Sequence, residues 1–504
     1  MLVEAPEHVK QQQRVAFLLY PRHTVTQDGT QGEMAMAQDT PGAGAAVGGT
    51  AMIVPGEMAA RVDRLPVSGM AWEIALLVQV GWACSASADG ISARLYPFIW
   101  LPRHVITSFE YSVLFALETG ISILIGGYAI GWLSDKIGRR KTLILSSVLA
   151  GVFIWPFGYV TSFPALVVLS LADTLGFAGY LAINVAYLSE IMGPAVRSKV
   201  IMGAQALAIF LLATVLASLI PHYWIPREYR LYLWLLAGLN ILVALVLLWR
   251  MPESPRWLEA RGRRDQARKI VERMEARVMK RHPVLPEPDL TPYQVVAEEK
   301  TSWFAPFGRR YLTVTVFLLV VMVLGYGGIV YGSVGYRYLF LAESRHYSAG
   351  FIFALAAWAA AASAVVYLLN AFFGERVERK YTQFAGAILF AGGWWGVYAV
   401  HDTPALVTFF IVATVGTTLW QFSMWVYIPG NYPTRMRSLG TGWTDGVGHI
   451  GAWSGVLLSG VVFTAAAPQR WISLITIPGA LIPAVMVAIF GKRQRRRTLE
   501  ELAR

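Results

Sequence analysis

A chain of 504 residues that is 56% hydrophobic and only 15% charged, with a mean hydropathy of +0.49, lacks the balanced surface chemistry of a soluble globular domain. Its formal net charge of +12 is split among clusters that hydrocarbon-length apolar stretches keep apart, which excludes a nucleic-acid-binding patch. Cys84 is the only cysteine, so an intramolecular disulfide and a thiolate metal cluster are excluded as well.

Residues 1–70 include the small-residue run TPGAGAAVGGTAM and read as a largely disordered tail, because such a run has neither the size nor the period to build a core. Crossing a bilayer takes about 20 apolar residues. Segments of that kind are expected at 71–96, 111–133, 142–160, 163–188, 198–220 and 230–250, then at 311–335, 348–370, 380–400, 403–428, 438–463 and 470–490. The reading is an all-α membrane protein of twelve spans in two groups of six, 71–250 and 311–490. Between the groups, Pro252 and Pro255 interrupt the sixth span, and the rest of 251–310 alternates Arg, Lys and Glu as surface helices do. A basic tail, 491–504, follows the last span.

The clusters DKIGRRK, RSK, the 251–310 segment and GKRQRRR each follow an even-numbered span. By the positive-inside rule these loops and both termini are expected in the cytoplasm, in a multi-pass protein of the bacterial inner (cell) membrane. No stretch fits G-x-x-x-x-G-K-[S/T], which disfavours ATP-driven pumping by this polypeptide. Neither a metal-ligand cluster nor a nucleophile–base spacing is recognisable, so no enzyme, metal or cofactor is expected.

After the second span the sequence reads GGYAIGWLSDKIGRRKT, in which Gly131 permits close approach of helix ends, Asp135 can accept from an arginine, and Gly138 permits a tight turn before Arg139 and Arg140. This loop resembles the signature loop of the major facilitator superfamily. YLSEIMGPAVRSK supplies Glu190 and Arg197, PESPRWL supplies Glu253 and Arg256, and YIPGNYPTRMRSLG supplies Arg437, with Gly430 where the family has glutamate. FGERVERKY, with Gly374, Glu375 and Arg379, is a degenerate second-half copy of the signature. These motifs are similar to those of the sugar-porter and metabolite:proton symporter branch, which includes organic-ion and aromatic-acid carriers. The resemblance implies two six-helix bundles with a ligand between them near the midplane, and loops that act as gating contacts rather than ligand contacts.

Ionisable residues inside the spans then carry the functional information, because a charge facing lipid is costly whereas one facing a wet cavity is not. Asp89, Glu118 and Asp173 are the first-half candidates for solute or proton handling; Glu110 and Arg337 lie near helix ends and are expected to reach headgroups. The first span departs from the family's G-W-x-x-D-x-x-D-x-G pattern, since GWACSASADG places Ser85 and Ala88 there and moves the carboxylate to Asp89. In the second half, GWTDGVGHIG compares with G-W-x-x-G-V-G-R-I-G, so Asp445 takes a small position and His449 takes the arginine position. Four residues apart, they share one helix face, and the carboxylate can pair with the imidazole. Among the aromatic residues Tyr326, Tyr331 and Trp420 are the candidate ligand contacts.

The expected function is secondary transport of a small organic solute by alternating access with proton coupling; a facilitative uniporter and a non-transporting membrane receptor are the alternatives. Expected partners are that solute, protons and membrane lipids, with no nucleic acid, and the chain is expected to act as a monomer.

Overall fold

The computed structural model describes residues 56–494 except 90, 209–211, 213, 226–227, 291–301, 374–375, 433–436 and 464–467. All regular elements among the described residues are helical. The first half runs α1 (Glu57–Asp63), α2 (Gly69–Asp89), α3 (Ile91–Ile99), α4 (Ser108–Ile137), α5 (Arg139–Ile154), α6 (Phe163–Ile191), α7 (Pro194–Ala208), α8 (Ile220–Trp224) and α9 (Tyr229–Arg250). Two linker helices follow, α10 (Pro255–Ala260) and α11 (Arg264–Met279). The second half runs α12 (Leu312–Gly325), α13 (Gly332–Leu339), α14 (Ala349–Phe373), α15 (Arg379–Ala399), α16 (Thr403–Tyr427), α17 (Arg437–Phe463) and α18 (Pro468–Phe490).

Among the described residues nine helices are long and apolar enough to cross a membrane, which makes this a multi-pass membrane protein. The expected spans 198–220, 380–400 and 438–463 do not reach that measure. The first divides among the described residues into α7 and a π turn, Val215–Leu219, before α8. The α15 helix opens on Arg379, Lys380 and Gln383, and α17 holds Asp445, His449 and a series of glycines, so both are less apolar than their length suggests.

Local sequence explains several helix starts. Thr107 and Glu110 form a capping box on α4, with Thr107 Oγ1 accepting from the Glu110 amide at 3.2 Å and Glu110 Oε2 accepting from the Thr107 amide at 2.7 Å. Glu110 therefore caps a helix. Ser254 and Pro255 start α10, and Asp402 starts α16 by accepting from the Ala405 amide at 3.0 Å. Two large buried apolar clusters result, one drawn mainly from residues 58–278 and one from 318–487, beside a small one of Ala206, Ala364 and Tyr367.

The described part of the expected tail is ordered. Met58, Ala59, Ala60 and Val62 of α1 are buried, and its polar side is fixed to α11 by Arg61–Glu275 and Arg64–Glu275 pairs, each 2.6 Å. The sequence reading missed this because a seven-residue helix has no periodicity to detect. Burial alone would raise the Glu275 carboxyl, but the hydrogen bonds from Arg61 and Arg64 outweigh it and hold the group below the ordinary glutamate value. A lowered carboxylate contributes stability above its unfolded value and loses it as pH falls through the folded one. Protease cleavage near α1 is accordingly expected to accelerate as pH falls below the ordinary glutamate value of about 4.3, and Glu275→Gln is expected to bring the faster cleavage at neutral pH.

Candidate functional site

Two polar groups lie inside the apolar helices. In the first half α6 carries Asp173 and the π turn Leu117–Ser122 within α4 carries Glu118, 4% and 3% exposed, which places both away from bulk water. Tyr96, from α3, donates its hydroxyl to Glu118 Oε1 at 3.4 Å and shares a 2.5 Å hydrogen bond with Ser170. Asp173 is in electrostatic reach of Asp89, the half-buried last residue of α2, and of Glu118. Two carboxylates from two helices, Glu118 and Asp173, thus face one tyrosine hydroxyl, and Asp89 from a third is in reach of Asp173. Sequence reasoning found the acids but missed Tyr96 and Ser170, which look like ordinary packing residues until the helices come together. Ser85, at the first missing acidic position, is buried and hydrogen bonds Asn240 at 3.1 Å, a structural contact.

The second group is centred on Tyr326, which opens the π turn Tyr326–Tyr331 between α12 and α13. Its hydroxyl donates to Asp445 Oδ1 at 2.5 Å and accepts from Trp425 Nε1 at 3.4 Å. The Tyr326 and His449 rings lie 4.9 Å apart in a near-perpendicular contact. The spacing of four brings the two residues together through the backbone: His449 Nδ1 lies 2.9 Å from the Asp445 backbone oxygen, while the carboxylate serves Tyr326. Since a carbonyl only accepts, Nδ1 carries the proton. Trp420 is wholly buried and fills the notch at Gly325, where a Cβ would lie 2.2 Å from its ring. Both groups are built on π turns, irregularities that often accompany functional sites.

Tyr128 joins the two halves. From α4 it donates to the Gly442 carbonyl of α17 at 3.3 Å and is in electrostatic reach of Asp445. It stands within the signature stretch, but its aromatic character carried no signal there.

At the signature loop, Arg139 holds Asp135 at 2.7 Å and the Glu190 carboxylate at 3.0 Å. Arg256 donates to the Glu190 backbone oxygen at 2.9 Å and pairs with Asp63, so α1, α6 and α10 meet there. Glu253 has a role the sequence did not disclose. Gly138 precedes α5 with φ 104° and ψ 159°, no local side chain caps that helix, and Glu253 Oε1 accepts from the Arg139 and Arg140 amides at 2.9 and 3.1 Å. A Cβ at Gly138 would lie 2.3 Å from Glu253 Oε2. Gly138→Ala is thus expected to destabilise the protein by about 1–3 kcal/mol and to lower its melting temperature in detergent. Gly131, by contrast, faces open space, and the close helix approach expected there is not present. In the second half Arg379 donates to Gln494 at 3.2 Å. The side chains of Arg197, Tyr331 and Arg437, and all of Glu375, lie outside the described residues.

The sequence profile of the Major Facilitator Superfamily matches residues 80–368, more than half of the chain. The chain belongs to this superfamily. It is 23% identical over 462 residues to the niacin transporter NiaP of Acinetobacter baylyi, covering 88% of this chain and 99% of that protein. A putative niacin/nicotinamide transporter NiaP of Bacillus subtilis is 24% identical over 428 residues, covering 84% of this chain and 96% of that one. Among solved structures, the partially occluded inward-open xylose transporter XylE from E. coli superposes with a TM-score of 0.64 at 14% identity, over 86% of this chain and 100% of that one.

In this major facilitator protein the two halves also touch at the end away from the signature loop. Phe98 and Phe353 lie 5.5 Å apart, Tyr111 and Tyr336 meet edge-to-face at 5.9 Å, and Tyr336 donates to Ser112. His222 Nδ1 also contacts the Gly350 carbonyl at 2.6 Å. Arg337 lies over the Tyr338 ring at 4.7 Å and donates to its hydroxyl at 3.1 Å, so it packs against the protein. The signature-loop contacts described above all fall between residues 63 and 261. They clip the first half to its linker. Arg139→Ala is expected to cut the transport rate about tenfold while leaving equilibrium solute affinity within about twofold, since these groups stand apart from both interior clusters. Binding and initial uptake measured on one preparation check this.

Proposed function

We propose that this protein is a proton-coupled carrier that moves a small organic solute across a membrane by alternating access. In this reading twelve spans form bundles over 71–250 and 311–490, the termini and the 251–310 linker lie in the cytoplasm, and the solute binds between the bundles. The observation that carries it is the burial of ionisable groups from both halves, Glu118 and Asp173 in one and His449 in the other, with Tyr128 connecting the first half to Asp445. Asp135, Arg139, Glu190, Glu253 and Arg256 act as conformational clips in this scheme, and Asp173 with Asp89 and Glu118 forms the coupling site.

The pair niacin and nicotinamide is the first solute test, because the relatives' names point to it and the two compounds differ as acid and amide. Histidine at the arginine position of α17 removes a fixed cation, which favours the uncharged amide over the anion. Purified protein in proteoliposomes, without ATP, is expected to accumulate solute when the lumen is made alkaline. Failure of both compounds would redirect the substrate choice, whereas solute exchange without any response to the proton gradient would support facilitated uniport. The second reading has one observation in its favour: Ser85 and Ala88 replace the first-span acids, and Ser85 is committed to Asn240.

A further inference from the structure

At the signature-loop end a cavity of about 520 Å³ opens between the ends of α2, α4, α5 and α9 and the linker helix α11. It is separate from both interior clusters. Its cations are Arg140, Lys141, Arg250, Arg263, Arg273 and Arg277, against two carboxylates, Glu73 and Glu253. Glu73 is already taken by Arg250 and by Arg277 at 2.7 Å, and Glu253 accepts the amides that start α5. Lys141, Arg263 and Arg273 therefore line the cavity without an ion pair among the described residues.

The rest of the lining is apolar, with Met70, Ile74 and Ile137 from the spans and Ile270 and Met274 from α11. Trp249 stands at the rim and is 81% exposed, and Leu245 and Leu248 on the same helix are 57% and 54% exposed. Because α9 is among the helices apolar enough to cross a membrane, these exposed side chains face hydrocarbon, and Trp249 marks the level of the headgroups. The cavity thus has a cationic floor in water and an apolar flank in lipid. Unpaired guanidinium and ammonium groups held close together repel one another, and an oxyanion with several acceptor oxygens relieves that repulsion while satisfying their donors.

We infer that this cavity binds the phosphate headgroup of an anionic phospholipid, with the acyl chains lying along Leu245 and Leu248 of α9. A lipid so placed ties α11 to the ends of α2, α5 and α9, fixing the linker to the first half.

The test is thermal melting of the full chain in detergent, titrated with short-chain phosphatidylglycerol, with phosphatidylcholine of the same chain length, and with glycerol 3-phosphate. Phosphatidylglycerol is expected to raise the melting temperature saturably, and the other two to do so weakly or not at all. Lys141 and Arg273 are exposed; the Lys141→Gln/Arg273→Gln variant is therefore expected to melt normally without lipid and to need roughly twentyfold more phosphatidylglycerol, and Arg273→Gln alone about fivefold more. Equal stabilisation by phosphatidylcholine would show a site blind to headgroup charge. Equal stabilisation by glycerol 3-phosphate would identify a soluble phosphate site in place of a lipid one. An unchanged midpoint in both variants would place the lipid elsewhere, and any of these three results overturns the inference.

Discussion

Asp173→Asn is expected to abolish uphill uptake driven by a proton gradient while retaining solute exchange at equal concentrations. A carboxylate removed from water is tolerated when it is paired, hydrogen bonded or protonated, and neighbouring like charges add to the cost of ionisation. Asp173 is buried within electrostatic reach of Asp89 and Glu118, so proton exchange is the economical way for the site to change charge during the cycle. Asparagine keeps the shape but fixes the site neutral. The expected loss is the whole of the gradient-dependent accumulation, with exchange within about threefold of the parent rate. Full gradient-driven accumulation in this variant would remove Asp173 from coupling and turn attention to Glu118, whose contact with Tyr96 gives it a second proton-bearing partner.

The second large effect is expected at α17. Asp445→Asn weakens the 2.5 Å hydrogen bond from Tyr326 and removes the negative charge that faces Tyr128, so solute affinity is expected to fall about tenfold or more for nicotinamide. His449→Arg restores a permanent cation at a position where the imidazole edge meets Tyr326, and it is expected to shift preference toward niacin by about tenfold. Competition binding with the acid and the amide measures both. If Asp445→Asn leaves both affinities unchanged and His449→Arg leaves their ratio unchanged, the Tyr326–Asp445–His449 group serves to brace α17 against α12.

Much of the architecture was legible because bilayer immersion writes itself into sequence as long apolar runs. Phe163–Ile191 and Tyr229–Arg250 fall almost where the hydropathy placed 163–188 and 230–250. The signature loop was legible for a different reason, since its glycine and its charges must follow one another at a fixed spacing to turn the chain and pair. The parts that escaped are long-range pairings. Glu253 caps a helix that begins 114 residues earlier, and Tyr326 meets Asp445 across 119 residues. Nothing in the local pattern around Asp445 distinguishes an acid that faces histidine from one that faces tyrosine. The π turns at Leu117–Ser122 and Tyr326–Tyr331 also left no trace in residue type, because a single inserted hydrogen-bond register depends on neighbours more than on propensity. For α1, burial of Met58 and Val62 against the linker decides the helix, and that surface exists only after the linker has folded.

The central claim is that one solute site is exposed in turn to the two sides of the membrane, and counterflow tests it most directly. Proteoliposomes holding purified protein are loaded with excess unlabelled nicotinamide, diluted into a trace of labelled nicotinamide without ATP or a proton gradient, and followed in time, with niacin run in parallel. The account predicts transient accumulation of label inside above its equilibrium level, slowed about tenfold by Arg139→Ala and preserved in Asp173→Asn. Saturable binding of a solute to the purified protein, with no transient accumulation of that same solute, would contradict alternating access and leave a membrane receptor built on a carrier fold.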